Sequence, residues 1–382
     1  MTFFHHIPNI FKILFHFSIL NYLARPRSHQ RGYNVFGYFS KIVGAGQDAR
    51  GFADELIRNG DEFVLVDFYQ KTHKHIARSE ENPYRKYYFR KFIYHTNIFF
   101  IDPAQWQNVR KKIPTLFLKN KHNIITFWWE FESGFEDRIP ILNEFNEVYV
   151  FSDFIWNILN SVDNRNFKIT RIKYPFAKNW IIEHDPLTVK RKYNLEGKFC
   201  FFFNFDYLSS YNRKNPEAIL CAIAEEFPDE AGVVLIVKTN NSNRFEEKEH
   251  NFLNKIKNLG LNGRVVVIND PLSRNGFMTL LNAMDCYISL HRGEGLGLGI
   301  LEALALNKPV IATNYGGNSE YMNNPLAMAV PYSMIPANDD YEPYKNVKFW
   351  AEPDISAAKK FMRTVFNEKM LIAHDSNRNY DI

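Results

Sequence analysis

Cysteine is scarce in this chain: Cys200, Cys221 and Cys286 are the only three in 382 residues, scattered and without metal-ligand spacing. That sets aside a disulfide framework or a zinc module and suits a reduced, cytoplasmic compartment. Charge of one sign is lacking too. Lys and Arg number 47 against 42 Asp and Glu, a formal net charge of +5. Such a balance favours small anionic partners, nucleotides or lipid headgroups, and does not argue for nucleic acid. No clean membrane-length apolar run exists. Residues 4–24 are rich in Phe, Ile and Leu, but His5, His6, Lys12 and His16 interrupt them, and no small-residue cleavage site follows. With Arg25, Arg27 and Arg31 behind it, this stretch reads either as an interfacial helix on an anionic membrane or as a helix packed on the protein's own body. The sequence also lacks G-x-S-x-G, H-E-x-x-H, a P-loop and a D-x-D diphosphate–metal signature.

Apolar and aromatic side chains are plentiful, 46% and 16% of residues, with 35 Phe and 20 Tyr. At this length they suffice for two domains with substantial cores. The most informative stretch runs from Tyr287 to Met322. It opens with an apolar strand, Cys286 to Leu290, then a loop holding Gly293, Gly295 and Gly297. A helical pattern follows to Leu306, with Ile300, Leu301, Leu304 and Ala305 on one face, stopped by Asn307-Lys308-Pro309. Val310 to Thr313 is the next strand and Gly316-Gly317 the next turn. Two carboxylates, Glu294 and Glu302, stand eight positions apart in this βαβ unit. The first amides of its helix carry partial positive charge, so Gly297, Leu298 and Gly299 are candidates to receive a diphosphate, with the glycines permitting close approach. Carboxylates do not bind phosphate but suit hydroxyls, as on a sugar and a ribose. The bland alternative is a plain βαβ unit whose glutamates face solvent.

Glu294 through Glu302, within "SLHRGEGLGLGILEALALNKPVIATNYGGNSEYM", resembles the E-x7-E motif of retaining glycosyltransferases of family 4, in their polysaccharide-assembling bacterial branch. The resemblance implies α/β domains in the GT-B architecture, two Rossmann-like domains with parallel sheets facing across a cleft. Boundaries then fall as an amphipathic, basic segment 1–31, an acceptor domain 32–175, a donor domain 176–350, and a C-terminal helix and tail 351–382.

In the first domain, Gly32 to Phe39 reads as a strand, Gly44-Ala45-Gly46 as a turn, and Gln47 to Asn59 as a helix. A third glycine at Gly51 does not complete a dinucleotide fingerprint. The resemblance places this loop, with Gly46, near donor phosphates and acceptor; a mere tight turn is the alternative. Residues 69–91 are basic, a segment that either meets an anionic or lipid-linked acceptor or is a solvated loop. Strands are expected at 98–102, 124–129, 148–151 and 169–172. "FFIDPAQW" and "WWEFE…EVYVFSDFIW" are similar to strand-end segments of the same family. They make Trp129 a candidate sugar-stacking ring and Glu130 a candidate hydroxyl acceptor, unless Trp129 is core.

The near-continuous apolar run Lys198 to Asn204 opens the second domain as a strand buried on both faces. "FDYLSSYNRKNP" resembles a family segment whose basic residues reach donor phosphates, here Arg213 and Lys214 at the entry to a helix. Lys238, ending the strand Val233 to Val237, is a further cation for the diphosphate. Trp350 to Asp354 resembles the family's recurring "WAEPD", ahead of a helix over 355–366.

The implied activity is hexose transfer from a UDP- or GDP-linked sugar to a glycan or lipid-linked acceptor hydroxyl, with retention, no metal and no cofactor. Glu294 and His291 would face the sugar, Glu302 the ribose, and Arg213, Lys214, Lys238, Gly295, Gly297 and Leu298 the diphosphate side. Two other classes stand beside it: a non-catalytic nucleotide- or sugar-binding module on the same scaffold, and a nicotinamide-dependent enzyme, which needs the G-x-G-x-x-G that the first loop lacks.

Overall fold

A computed structural model describes residues 31–40, 44–68, 83–88, 94–113, 115–176, 180–339 and 341–368. The apolar N-terminal stretch 4–24, most of the basic segment 69–91 and the tail 369–382 lie outside the described residues. The chain divides into two compact units, Met1–Trp128 with Glu136–Lys178, and Trp129–Phe135 with Asn179–Ile382.

The first unit is built on six parallel strands: β1 (Tyr33–Gly37), β2 (Phe63–Asp67), β3 (Thr96–Phe99), β4 (His122–Thr126), β5 (Glu147–Val150) and β6 (Lys168–Arg171). They lie in the order β2-β1-β3-β4-β5-β6. Helix α1 (Gly44–Asn59) follows β1. It begins at Gly44, so Gly46, expected in the preceding turn, lies buried inside its first turn. A Cβ on Gly51 would come within 2.3 Å of the Pro175 carbonyl, so α1 lies directly on the Tyr174–Phe176 stretch. The strand expected at 98–102 starts earlier and ends at Phe99. Phe100 still donates to the Phe36 carbonyl at 2.8 Å, and beyond it the Asp102 carboxylate caps the next turn by accepting from the Ala104 amide at 2.8 Å.

The second unit carries β7 (Phe199–Asp206), β8 (Val233–Asn240), β9 (Val265–Ile268), β10 (Cys286–Ser289), β11 (Val310–Thr313) and β12 (Ala327–Val330), all parallel. Strand β7 shows why two cores form. Phe199, Phe201, Phe203 and Phe205 enter one apolar cluster, while Cys200 and Phe202 enter the other. Successive strand side chains point to opposite faces, so a run as apolar as Phe199 to Phe203 needs cover on both. In β8, Val233, Leu235 and Val237 join the first cluster and Val234 and Ile236 the second. Two parallel six-stranded sheets bear out the α/β, twice Rossmann-like expectation.

One element escaped the sequence reading. Trp350 to Asp354 is not simply a lead-in to a helix. It holds strand β14 (Phe349–Pro353), antiparallel to β13 (Tyr332–Pro336), and Asp354 then caps the Ala357 amide at 3.0 Å. The final described helix, Ile355–Asn367, sends Ala358, Met362 and Val365 into the second unit's own core.

Within the first unit, Asp48 on α1 is buried and accepts a hydrogen bond from the Tyr174 hydroxyl at 2.8 Å. Burial pushes its carboxyl up to about 7, against the pull of Tyr174 and Arg50. The folded chain therefore holds an extra proton between the ordinary value of 3.8 and about 7. Stability contributed by this site is greatest at the acid end of that window and falls as pH rises through it. Asp48→Asn, which carries no charge, should unfold about 2–4 °C higher than the parent at pH 8 and show no such gain at pH 4. Equal unfolding temperatures at pH 8 in a thermal scan would count against this account.

Candidate functional site

Strand order locates the site. Read from β7, the second sheet runs 3-2-1-4-5-6, and its order reverses between β7 and β10. In open parallel sheets the crevice beyond the strand ends at that reversal is where ligands bind. The segments leaving β7 and β10 carry Arg213, Lys214 and Glu294.

Beyond β7, Ser210 caps a single helical turn, α2 (Tyr211–Lys214), by accepting from the Arg213 amide at 3.0 Å. Asn215, left-handed with φ 53°, ends it, and Pro216 opens α3 (Pro216–Glu226). Arg213 and Lys214 therefore sit at the close of one helix rather than at the start of the next, as the sequence suggested. That is the end at which a helix dipole favours cations. The Asn215 amide group donates to the Leu290 carbonyl at 3.0 Å and the Arg292 amide to the Arg213 carbonyl at 2.8 Å, binding this turn to the loop after β10.

That loop carries Glu294. Its carboxylate pairs with the Lys214 ammonium and lies 3.5 Å from the Arg213 guanidinium. Burial alone would raise the Glu294 pKa, but Lys214, Arg213 and His291 bring it down to about 2. Arg213 also donates to the Gly293 carbonyl at 2.7 Å, comes within 3.8 Å of Glu130 and lies over the Tyr344 ring. Burial works against its charge, and Tyr344, Glu130 and Glu294 outweigh that. Burial holds the Lys214 ammonium below its usual range despite Glu294. The two cations differ in access: the Arg213 side chain is 4% exposed and that of Lys214 18%.

The glycines of this loop make room for protein. A Cβ on Gly293 would meet the Phe131 ring at 2.6 Å and the Glu130 carbonyl at 2.8 Å. Gly316, at φ +87°, would bring a Cβ to 2.1 Å from the Glu294 carbonyl, which accepts from the Gly317 amide at 2.7 Å. The Gly316-Gly317 turn thus holds the Glu294 backbone. Gly295 and Gly297 are both buried, and Gly297 takes the left-handed N-cap position, with no side-chain cap bond and no acid in the first turn of the helix that follows.

Within that helix Glu302 is 3% exposed and pairs with Arg274, the first residue of α4 (Arg274–Asn282). Burial raises the Glu302 pKa against the pull of Arg274. The Arg274 guanidinium lies 5.6 Å from the centre of the Trp180 ring. His291 is fully buried, and burial, with Lys214 and Arg213, pushes its imidazole down to about 4 against Glu294. Asn318 is near enough to draw that pKa slightly upward, yet neither ring nitrogen meets a partner at hydrogen-bond geometry.

The other candidates fall as follows. Lys238, expected just past the strand, lies buried within β8, which runs on to Asn240, and its ammonium donates to the Thr239 carbonyl and to Asn240 Oδ1 at 2.9 Å. Trp129 and Glu130, assigned by sequence to the first domain, group with the second unit. The cause is aromatic packing: Trp129 and Phe131 both meet Tyr344 edge-on, at 5.5 and 5.0 Å. Trp129 is buried there, with its indole N–H on the Ser133 carbonyl. Gly46 stays in the first unit. Sequence reading missed Arg274 and Tyr344. A cation in the first turn after an N-cap serine opposes the helix dipole, a signal that Arg274 needs an acid; Tyr344 gave none.

Residues 210–327 match the family model of glycosyl transferases group 1. No curated protein sequence matches the chain. Among solved structures, Anabaena Alr3699/HepE in complex with UDP-glucose is similar at TM-score 0.59 and 14% identity, over 90% of this chain and 99% of that one. Sucrose-phosphate synthase from Thermosynechococcus elongatus is similar at TM-score 0.55 and 12% identity, over 90% and 97%. An E. coli trehalose-6-phosphate structure bound with UDP-2-fluoro glucose is similar at TM-score 0.58 and 10% identity, over 89% and 92%. With the two parallel sheets, these likenesses show the α/β fold of GT-B glycosyltransferases.

Removing Arg274 leaves the buried Glu302 without its cation. Arg274→Ala should cost about 2 kcal/mol in denaturant unfolding, and adding Glu302→Gln should return a good part of it. Additive losses in that double-mutant cycle would mean the pair is not coupled.

Proposed function

We propose that the chain is a retaining glycosyltransferase of family 4, moving a hexose-type sugar from a UDP- or GDP-linked donor to the hydroxyl of a glycan or lipid-linked acceptor. The observation that carries this reading is the Glu294 carboxylate, largely but not fully buried and held ionised between Lys214 and Arg213 in the loop leading to an uncapped helix N-terminus, at the sheet's switch point. The match of residues 210–327 to glycosyl transferases group 1 spans both loops. UDP-glucose in the Anabaena structure supports a nucleotide-sugar donor.

In this reading the helix amides and Lys214, the more accessible cation, take the diphosphate, and Glu294 accepts from sugar hydroxyls. Glu302 takes the ribose. Arg213 keeps the Glu294 loop in place, and Lys238 supplies positive potential from among the last residues of β8. His291 stays neutral near pH 7 and packs beside the sugar without acting as a base. The nucleotide leaves on the face that the acceptor attacks, so configuration is retained, and negative charge growing on the leaving diphosphate is met by fixed groups. Catalysis is proposed to need no metal, because the helix amides and Lys214 meet the charge of the diphosphate. Glu130 is the proposed acceptor-side group, with Trp129 supporting it by packing. Work on cell-surface polysaccharide or glycolipid at the inner face of the membrane fits the mild positive charge. No helix among the described residues is long and apolar enough to cross a membrane.

The test is a panel of UDP- and GDP-sugars, with thermal shift for binding, mass detection of released nucleotide, and NMR of the product anomer. At least one donor should bind and turn over, with its anomeric configuration kept. Glu294→Gln should lower turnover at least about 100-fold while the protein stays folded. Binding without turnover for every donor and acceptor tried would favour the non-catalytic module, and no binding at all would end the reading.

A further inference from the structure

The Trp350–Asp354 motif has no role in the chemistry above, yet it lies against the loop that bears Glu294. The link is Arg292, two residues before that glutamate. Its guanidinium forks onto Glu352, with Nε on one carboxylate oxygen and Nη2 on the other at 3.0 Å. Its third nitrogen, Nη1, donates to the Asn212 carbonyl at 2.8 Å, and the plane lies 4.9 Å from the centre of the Trp350 ring. The backbone repeats the connection: the Arg292 amide donates to the Arg213 carbonyl at 2.8 Å, and its carbonyl accepts from the Ala351 amide at 3.1 Å. One side chain thus joins the turn bearing Arg213 and Lys214, the loop bearing Glu294, and β14.

We propose that Arg292, held by Glu352 and Trp350, is a positioning residue that sets the Glu294 carboxylate against the Lys214 ammonium. The proposal rests on the reading of Glu294 and Lys214 as donor-site groups. A glycine-bearing loop holds a carboxylate within a fraction of an ångström only if it is tied to a fixed neighbour, and misplacement of about 1 Å can cost about 100-fold in rate. A planar fork supplies that reference where a lysine cannot, because it fixes direction as well as charge. The pair itself adds little stability, since Arg292 and Glu352 are 20% and 31% exposed. Geometry is the function that remains.

Arg292→Lys and Glu352→Gln on the full chain test this, read by kinetics with UDP-glucose as the probe donor and by hydrogen exchange of amides 290–297. The expected result is a 10- to 100-fold fall in kcat with donor KM changed less than about 3-fold. Loop exchange should quicken, the unfolding temperature should move by under about 2 °C, and the double variant should be no worse than the poorer single one. Unchanged kcat and unchanged loop exchange in both variants would overturn the proposal, as would a loss of rate that merely tracks unfolding. If the parent neither binds nor turns over any nucleotide-sugar, the donor-site reading fails and positioning for transfer fails with it. Quickened exchange in that case would leave only a loop anchor, which the exchange data report separately.

Discussion

Two cations, Arg213 and Lys214, face two carboxylates, Glu294 and Glu130, in a largely buried cluster, and the second unit's functional edge depends on that balance. Charges removed from water are costly unless opposed at short range and hydrogen-bonded. Each member here is tolerable only because the others are present. The Gly293 carbonyl on Arg213 and the Gly317 amide on the Glu294 carbonyl satisfy polar groups around it. Such a cluster is weak evidence for stability and good evidence for orientation. It admits few arrangements, so it selects one path for the loop that carries it.

Orientation matters because of where the cluster lies. The sheet order brings the ends of β7 and β10 side by side, and the two short loops leaving them meet without a long excursion of chain. The strands beneath cannot slide, since β7 and β8 pack into two cores at once. A rigid floor and two short, cross-bonded loops are the conditions under which fixed dipoles can oppose developing charge without reorganising.

Much of this was legible beforehand. A parallel sheet follows from near-continuous apolar runs such as Phe199 to Phe203, and the βαβ unit from Tyr287 to Thr313 follows from periodicity, glycines and one proline. What escaped notice shares a single physical cause. Arg292 meets Glu352 across 60 positions and Arg274 meets Glu302 across 28, and neither partner lies within a local window. The Trp129–Phe135 stretch followed a run that read as a first-domain strand, and nothing local revealed Tyr344 as its aromatic partner. The sequence suggests that the loop glycines make room for a diphosphate. The surface approaching them is the protein's own: the Phe131 ring at Gly293 and the Glu294 carbonyl at Gly316.

The second unit is discontinuous in the chain, and that has a temporal side. Ser133 bonds to the Lys348 amide across 215 residues, so Trp129, Glu130 and Phe131 leave the ribosome long before their partners exist. At roughly 5–20 residues per second, the gap is on the order of 10–40 s. During it an aromatic-rich strip has no surface to join. A fragment beginning at residue 179 would face the opposite shortage: it would retain Arg213 and Tyr344 but never receive Glu130 or the Phe131 ring. Its charge cluster would be one carboxylate short.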